Sequence, residues 1–375
     1  KKTMQIINIL LLLLPLLAVV AADTNFEKFL NNFKNLNDKT ETRIEAILNT
    51  LQDDVVFKIP KMDHTISEFP SNIDGTFRGK EAVKKYLNAF HHAFQIDLYN
   101  RVDAFSNDQH SELFVLQISL THKVHNLFFY LPTVLHLTKV NLISRVEFTY
   151  DTMVMQRAIV GSMIPQQPNQ EMGNKVYDGN VLKNVNDMKV LTEAFVKHLN
   201  NPTDSFYNKY CDENSVLSFP GGSMLGFVGV YRGDERIKQG FTSYNNEVKL
   251  SSSTNETIYL NENTALVHRL ETGVDSKTAS KFSNVQHYYY LHGFKVATTD
   301  PKFRRVFSIV DTVSMAGYIT TNSIFHVVFQ IVLSVLVLIL TITLGLVCIF
   351  NIMKSAELKQ RRKRDHQRLT QLDTY

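Results

Sequence analysis

Two sets of histidine and aspartate stand where proton transfer would use them. His136 and Asp151 fall near the end of the first half of the chain, His287 and Asp311 near the end of the second. An imidazole and a carboxylate together could move a proton next to a carbonyl, so these four are the catalytic candidates. Strand parity bears on them. In 144–151, Ser144, Val146, Phe148 and Tyr150 share one face, and Arg145, Glu147, Thr149 and Asp151 share the other. The apolar face should pack on helices, which predicts that Asp151 points outward into a cross-strand ion pair. Around Asp311 parity does not decide, because Arg305, Phe307 and Ile309 share its face. His136 and His287 read more simply as hydrogen-bonded sheet histidines.

Other chemistry is thinner. His91 and His92 are adjacent on a helix and face different ways. His122 and His125 have no third ligand in view, and no cysteine cluster, phosphate loop or Ser-His-Asp arrangement occurs in the sequence. No metal and no cofactor is therefore expected. Asp53-Asp54 and Asp212-Glu213 are expected to precede the first strand of each half, without a second polar group. Phe128-Phe129-Tyr130 and Tyr288-Tyr289-Tyr290 put rings on both faces of a strand. One face is core. The other is an interface or pocket wall, which makes Phe128, Tyr130, Tyr288 and Tyr290 the ligand or interface candidates.

The elements that would position these residues follow from periodicity. Apolar residues at helical spacing predict a helical region over 24–51, interrupted at 37–40. A short strand follows at 55–60, and a helix on Val83, Tyr86, Leu87, Phe90 and Phe94. Beyond 108 the period becomes two, which predicts strands through 133–140 and 142–155. Residues 157–184 carry Pro165, Pro168, Gly173 and Gly179 without an apolar period and read as a linker. Then the pattern returns. Gly75-Thr76-Phe77-Arg78-Gly79-Lys80-Glu81 recurs 154 positions later as Gly229-Val230-Tyr231-Arg232-Gly233-Asp234-Glu235. Phe57–Pro60 recurs as 217–220, Val134-Leu135-His136 as Val285-Gln286-His287, and Arg145-Val146 with Asp151 as Arg305-Val306 with Asp311. Matches in one order with similar gaps predict an internal duplication. Gly75, Arg78, Gly79, Gly229, Arg232 and Gly233 are read as structural turns, with Glu81 and Glu235 at the positive end of the helix that follows.

These stretches, 57–60, 75–83 and 144–151 with their counterparts, resemble the NTF2-like family, including its SnoaL-like cyclases and ketosteroid isomerase relatives. The resemblance covers most of 24–155 and 186–320. It implies an α+β fold: two cone-shaped α+β barrels in tandem, each wrapping a curved sheet round helices and an apolar pocket. Members commonly pair through their sheets, so the two copies would pair within the chain as a pseudo-dimer. Related enzymes use one Asp, His or Tyr in the pocket as acid or base.

The ends place the chain at a membrane. Residues 1–22 have a basic start, an apolar middle and a small-residue exit at Ala21 and Ala22, the parts of a secretory signal peptide. Residues 327–350 carry no charge, which predicts a transmembrane helix over 324–352. A tail over 353–375 follows, with Lys354, Lys359, Arg361, Arg362, Lys363, Arg364 and Arg368; this marks a cytoplasmic side and suits anionic lipid. The expected topology is single-pass type I, in the secretory pathway or at the cell surface, with another organellar membrane as the alternative. Of 40 Lys and Arg and 36 Asp and Glu, nine basic and three acidic residues lie in those ends. The middle is then close to neutral, which argues against nucleic acid as a partner. Asn255-Glu256-Thr257 is a glycosylation sequon in a polar stretch expected to be an exposed loop. Cys211 and Cys348 lie on different sides of the expected topology, so no disulfide is expected.

Together these point to domains over 23–156 and 185–323 that bind a protein partner or a small apolar ligand without catalysis. The alternative is a membrane-anchored isomerase, cyclase or dehydratase using a pocket Asp or His.

Overall fold

A computed structural model describes residues 25–62, 73–108, 110–161, 182–219, 227–276, 281–295, 300–316 and 319–372. The segment expected as a signal peptide and most of the expected linker lie outside these residues.

The first sheet is built from β1 (Leu51–Ile59), β2 (Gly75–Arg78), β3 (Phe94–Asp108), β4 (Ser111–His122), β5 (Leu127–Lys139) and β6 (Ile143–Tyr150). Its order is β2-β1-β6-β5-β4-β3. β1 and β6 run parallel and every other neighbour is antiparallel, so the sheet is mixed. Helices α1 (25–34), α2 (Thr40–Leu48) and α3 (Lys80–Ala93) lay their apolar stripes on one face of it. Phe29, Phe33, Ile44, Ile47, Val83, Leu87 and Phe90 from the helices form one buried cluster with Phe57, Leu116, Leu135 and Phe148 from the strands. Each such side chain contributes roughly 1.5–3 kcal/mol by leaving water.

The second sheet uses β7 (Val216–Phe219), β8 (Gly229–Arg232), β9 (Val248–Leu260), β10 (Thr264–Asp275), β11 (Lys281–Phe294) and β12 (Lys302–Val310) in the order β8-β7-β12-β11-β10-β9. Again one pair, β12 with β7, is parallel. Helices α5 (Val185–Asn200), α6 (Asp204–Tyr210) and α7 (Asp234–Glu247) accompany it, while α4 (Thr152–Ile159) and α8 (Thr312–Ala316) follow the last strand of each sheet.

The glycine turns explain how a short strand reverses into a helix. Gly79 has φ 79° and ψ 160°, and Gly233 φ 81° and ψ 157°, immediately before α3 and α7. That backbone region belongs almost only to glycine. Each amide is tied to the first strand region: Gly79 N to Val55 O at 2.8 Å, Gly233 N to Ser215 O at 2.9 Å.

The two sheets meet. Phe105, Leu113, Val115 and Val134 of the first form one buried cluster with Leu266, Tyr288, Tyr290, Phe307 and Ile309 of the second. Polar contacts border it. Asp103 accepts from Asn261 Nδ2 at 2.8 Å, from Tyr290 OH at 3.1 Å and from the Thr264 hydroxyl, and Gln286 Nε2 donates to Glu147 at 2.8 Å.

Several sequence expectations are corrected. The strand expected over 142–155 stops at Tyr150, and α4 replaces its end. Asp151 caps that helix, and Met153, Val154, Ala158 and Ile159 bury its apolar side. This helix overlaps the start of the expected linker. Asp53 and Asp54 lie within β1 rather than before it. The sequon at Asn255 falls in β9, an edge strand, at a break in register with β10, not in a loop.

As a separate unit, one helix, α9, runs from Ile319 to Leu372. Its stretch Ile331–Arg361 has mean hydropathy 2.9 and is long and apolar enough to cross a membrane. At 1.5 Å per residue it is roughly 46 Å long. The helix continues without a break into the basic segment.

Candidate functional site

The inner, helix-facing side of the second sheet holds a cluster of buried polar groups. Alternation along β11 turns His287 and Tyr289 inward and Gln286, Tyr288 and Tyr290 outward. Arg269 pairs with His287 across the ladder and so shares its face, as does Glu271 opposite Val285. Ser308 comes from β12 and Tyr244 from α7.

His287 Nδ1 lies 2.9 Å from Glu271 Oε2 and its Nε2 lies 2.7 Å from Ser308 Oγ. Tyr244 donates its phenolic hydrogen to the same Glu271 oxygen at 2.9 Å. Tyr289 stacks on the imidazole at 4.0 Å. Arg269, also buried, donates to Ser253 Oγ and to Asn200 Oδ1, each at 2.7 Å. Burial alone would push the Glu271 carboxyl up. His287, Arg269 and the Tyr244 hydroxyl outweigh it, and the group is held below the usual carboxylate range. Burial raises the Tyr244 phenol well above its ordinary value.

In the neutral tautomer that donates Nδ1–H to Glu271, His287 accepts the Ser308 hydroxyl hydrogen at Nε2. This is the geometry of an acid–base relay. It is also an internal one. Glu271 and His287 are 0% exposed and Ser308 2%. Two atoms are unspent: Glu271 Oε1 and the Tyr289 hydroxyl are buried without a hydrogen-bond partner.

The first sheet does not repeat this chemistry. Thr133 pairs with Tyr150 and Leu116, as His287 pairs with Val310 and Arg269. The topological counterpart of His287 is therefore Thr133, three residues from the His136 that sequence matching aligned with it. The Ser308 position, which faces Tyr289 as Phe148 faces Leu135, is filled by a phenylalanine. Phe33, Phe57, Phe90 and Phe148 crowd that face, with ring centroids 5.7–5.9 Å apart.

The four catalytic candidates are not brought together as His–Asp pairs. His136 lies opposite Glu147 on the outer face, 2.6 Å from Ser111 Oγ. Asp151 does not point outward. It is buried and accepts from Met153 N at 3.1 Å, Val154 N at 3.4 Å and the Thr312 hydroxyl. Burial lifts its carboxyl to about 6 against these hydrogen bonds. Asp311 accepts from Thr152 Oγ1 at 2.5 Å and Ser314 N at 3.2 Å, and its carboxyl is raised by desolvation. The strand ends one residue before each aspartate, and the chain turns there into a helix whose amides the carboxylate caps. His287 does face inward, with Glu271 as its carboxylate.

Among the aromatic candidates, Tyr288 and Tyr290 lie in the cluster between the sheets. Phe128 is 50% exposed, with Tyr130 edge-on at 5.0 Å. The His122 and His125 rings are 5.1 Å apart, and among the described residues no group of three or more His, Cys, Asp or Glu could hold a metal. A surface cleft of about 480 Å³ lies over α5 and α6, with Lys197, His198, Phe206, Lys209 and Tyr210 among its walls. Sequence reasoning missed Tyr244, Glu271 and Ser308. A signal existed: in 265–271 Arg269 and Glu271 occupy the same parity as Ala265 and Val267, charges on an otherwise apolar face.

No protein-family model and no curated protein matches the chain. Some solved structures are similar to about a third of it. An NTF2-like protein from Burkholderia xenovorans LB400 is 19% identical, covering 37% of this chain and 95% of its own, with a TM-score of 0.31. An NTF2-like protein of unknown function from Burkholderia pseudomallei K96243 is 16% identical, covering 37% of this chain and 97% of its own, with a TM-score of 0.31. A ketosteroid isomerase-like protein from Erwinia carotovora atroseptica SCRI1043 is 13% identical, covering 35% of this chain and 95% of its own, with a TM-score of 0.26. At these identities and scores the likeness says nothing of what this chain does.

Proposed function

We propose that the chain is a membrane-anchored binding protein that catalyses nothing. In this reading it holds two NTF2-like domains, duplicates of one unit, paired face to face within the chain as a pseudo-dimer. α9 anchors them as a single type I span in a membrane of the secretory pathway, and the basic segment lies on anionic lipid. The carrying observation is the state of the two inner faces. The first is packed with phenylalanine rings. In the second, His287, Glu271, Tyr244 and Ser308 hydrogen-bond to one another out of reach of solvent, with Glu271 Oε1 left over. Among the described residues, the half-exposed Phe128 and the cleft over α5 and α6 are the candidate binding surfaces we favour, and they suit a protein segment or a small apolar ligand with a negative group.

The test is thermal unfolding of the detergent-solubilised full chain against a panel of apolar and amphiphilic acids. A ligand that raises the melting temperature should lose its effect in Lys209→Glu and keep it in His287→Gln. The opposite pattern rejects the binding reading. Topology is checked by glycosidase treatment of the cell-expressed chain: a mobility shift absent in Asn255→Gln places β9 in the lumen.

A second reading has one observation in its favour. The relay of Ser308, His287 and Glu271 has hydrogen-bonding geometry, and the carboxylate keeps an unpartnered buried oxygen. An anchored isomerase, cyclase or dehydratase would use His287 as the base and Glu271 to orient it. Turnover of a carbonyl compound that disappears in His287→Gln would establish it.

A further inference from the structure

The outer faces that meet between the two sheets carry ionisable groups that nothing above employs. His268 of β10 points out of the second sheet opposite Tyr288, whose ring stacks on its imidazole at 4.4 Å and 16°. His136 of β5, in the first sheet, lies close enough across the junction that its charge would oppose one on His268. From β6 the Glu147 carboxylate favours that charge; from β11 His287, on the far side of its strand, opposes it. Glu147 is already engaged with Arg145 at 2.8 Å, Lys58 at 3.4 Å and Gln286. His268 Nε2 is buried and meets no hydrogen-bond partner.

We propose that His268 and His136 form an acid-sensitive latch, which holds the two sheets together while neutral and loosens their junction when His268 takes up a proton. A neutral imidazole with an empty acceptor fits an aromatic-lined junction. Protonation would place a charged N–H there without an acceptor, within range of the charge of a second imidazole. Loosening would uncover Tyr288, Tyr290, Phe105 and Phe307, an apolar surface absent at neutral pH.

The sign agrees. Burial lowers the His268 pKa to about 4 from an ordinary 6.5. The stability tied to its neutral form is complete above 6.5 and is lost as pH falls towards 4. Between pH 7.5 and pH 5, linkage predicts about a thirty-fold shift of the junction towards its open form from this group. Asp151 pulls the other way, since its raised carboxyl favours the closed form in acid. The test must therefore read the His268 contribution by difference.

The experiment is hydroxyl-radical footprinting with mass spectrometry on the full chain in detergent at pH 7.5 and pH 5. Labelling of Tyr288 and Tyr290 is read in wild type and in His268→Gln. The wild-type to variant labelling ratio should rise about thirty-fold on acidification, while buried inner-face rings such as Phe195 stay unlabelled in both. A ratio that does not change with pH overturns the latch, and so does equal labelling of the inner-face rings, which would mean global unfolding. His136→Gln serves the same comparison if His268→Gln fails to fold. It should cut the acid-induced rise in Tyr288 and Tyr290 labelling, and an undiminished rise overturns the pairing of the two histidines.

Discussion

Thr152 donates its hydroxyl hydrogen to Asp311 across 2.5 Å, and Thr312 returns the same bond to Asp151. Each threonine oxygen also accepts a backbone hydrogen from the other segment, Val313 N at 2.9 Å and Met153 N at 3.2 Å. The ends of the last strands of the two sheets are thus reciprocally capped, and the aspartates that looked like catalytic acids tie them to one another.

Breaking one arm of this exchange should be costly. Thr152→Val keeps shape but leaves the Asp311 oxygen and the Val313 amide short of a partner. A loss of roughly 1–3 kcal/mol is expected, measured by urea unfolding of the full chain in detergent. Thr312→Val should behave alike.

The same site sets a pH slope. The folded Asp151 carboxyl titrates at about 6, above its ordinary 3.8. A raised carboxyl pKa means that its contribution is fully present below 3.8 and is lost as pH rises through 6. The total is about 3 kcal/mol between those limits. Asp151→Asn should remove that slope, so the stability of the variant relative to wild type should rise by roughly 2–3 kcal/mol between pH 4 and 7. An unchanged slope would mean that Asp151 is hydrated.

Glu271 and His287 should behave as a unit. Removing one partner, as in Glu271→Leu, leaves the other buried and uncompensated, at a cost of roughly 3–5 kcal/mol. The double change to leucine should cost less than the two single changes together. Additive losses would show that the pair is not coupled.

Alanine at the turn glycines should separate conformation from contact. Gly79→Ala and Gly233→Ala both force a side chain into positive φ, at roughly 1–3 kcal/mol each. Gly79 should cost more, because its new Cβ would stand 3.2 Å from Asp53 O, against 3.7 Å from Glu213 O at Gly233. Equal losses would assign the whole effect to the backbone.

Much of the local structure was legible because it depends on near neighbours. Helical spacing of Val83, Tyr86, Leu87 and Phe90 locates α3, and the period of two after 108 locates long strands. The end of β6 was not legible. Thr149, Tyr150, Thr152 and Val154 continue a strand-like pattern, and only the capping of α4 amides by Asp151 stops it. Matching His136 to His287 also failed for a local reason: similar triplets, three residues out of register, outweighed the ladder that sets Thr133 opposite Tyr150.

By itself the sequence determined what chain-local physics dictates: an uncharged stretch long enough for a bilayer, glycines where a strand must turn sharply into a helix, and the alternation that sorts side chains to two faces. Tertiary structure alone decided which polar groups meet. Glu271 reaches His287 from the neighbouring strand, Thr152 reaches Asp311 over a separation of 159 residues, and His268 comes within range of the charge of His136 only because two sheets pack. Hydrogen bonds and charges act over a few ångströms, and spacing along the chain does not contain those distances.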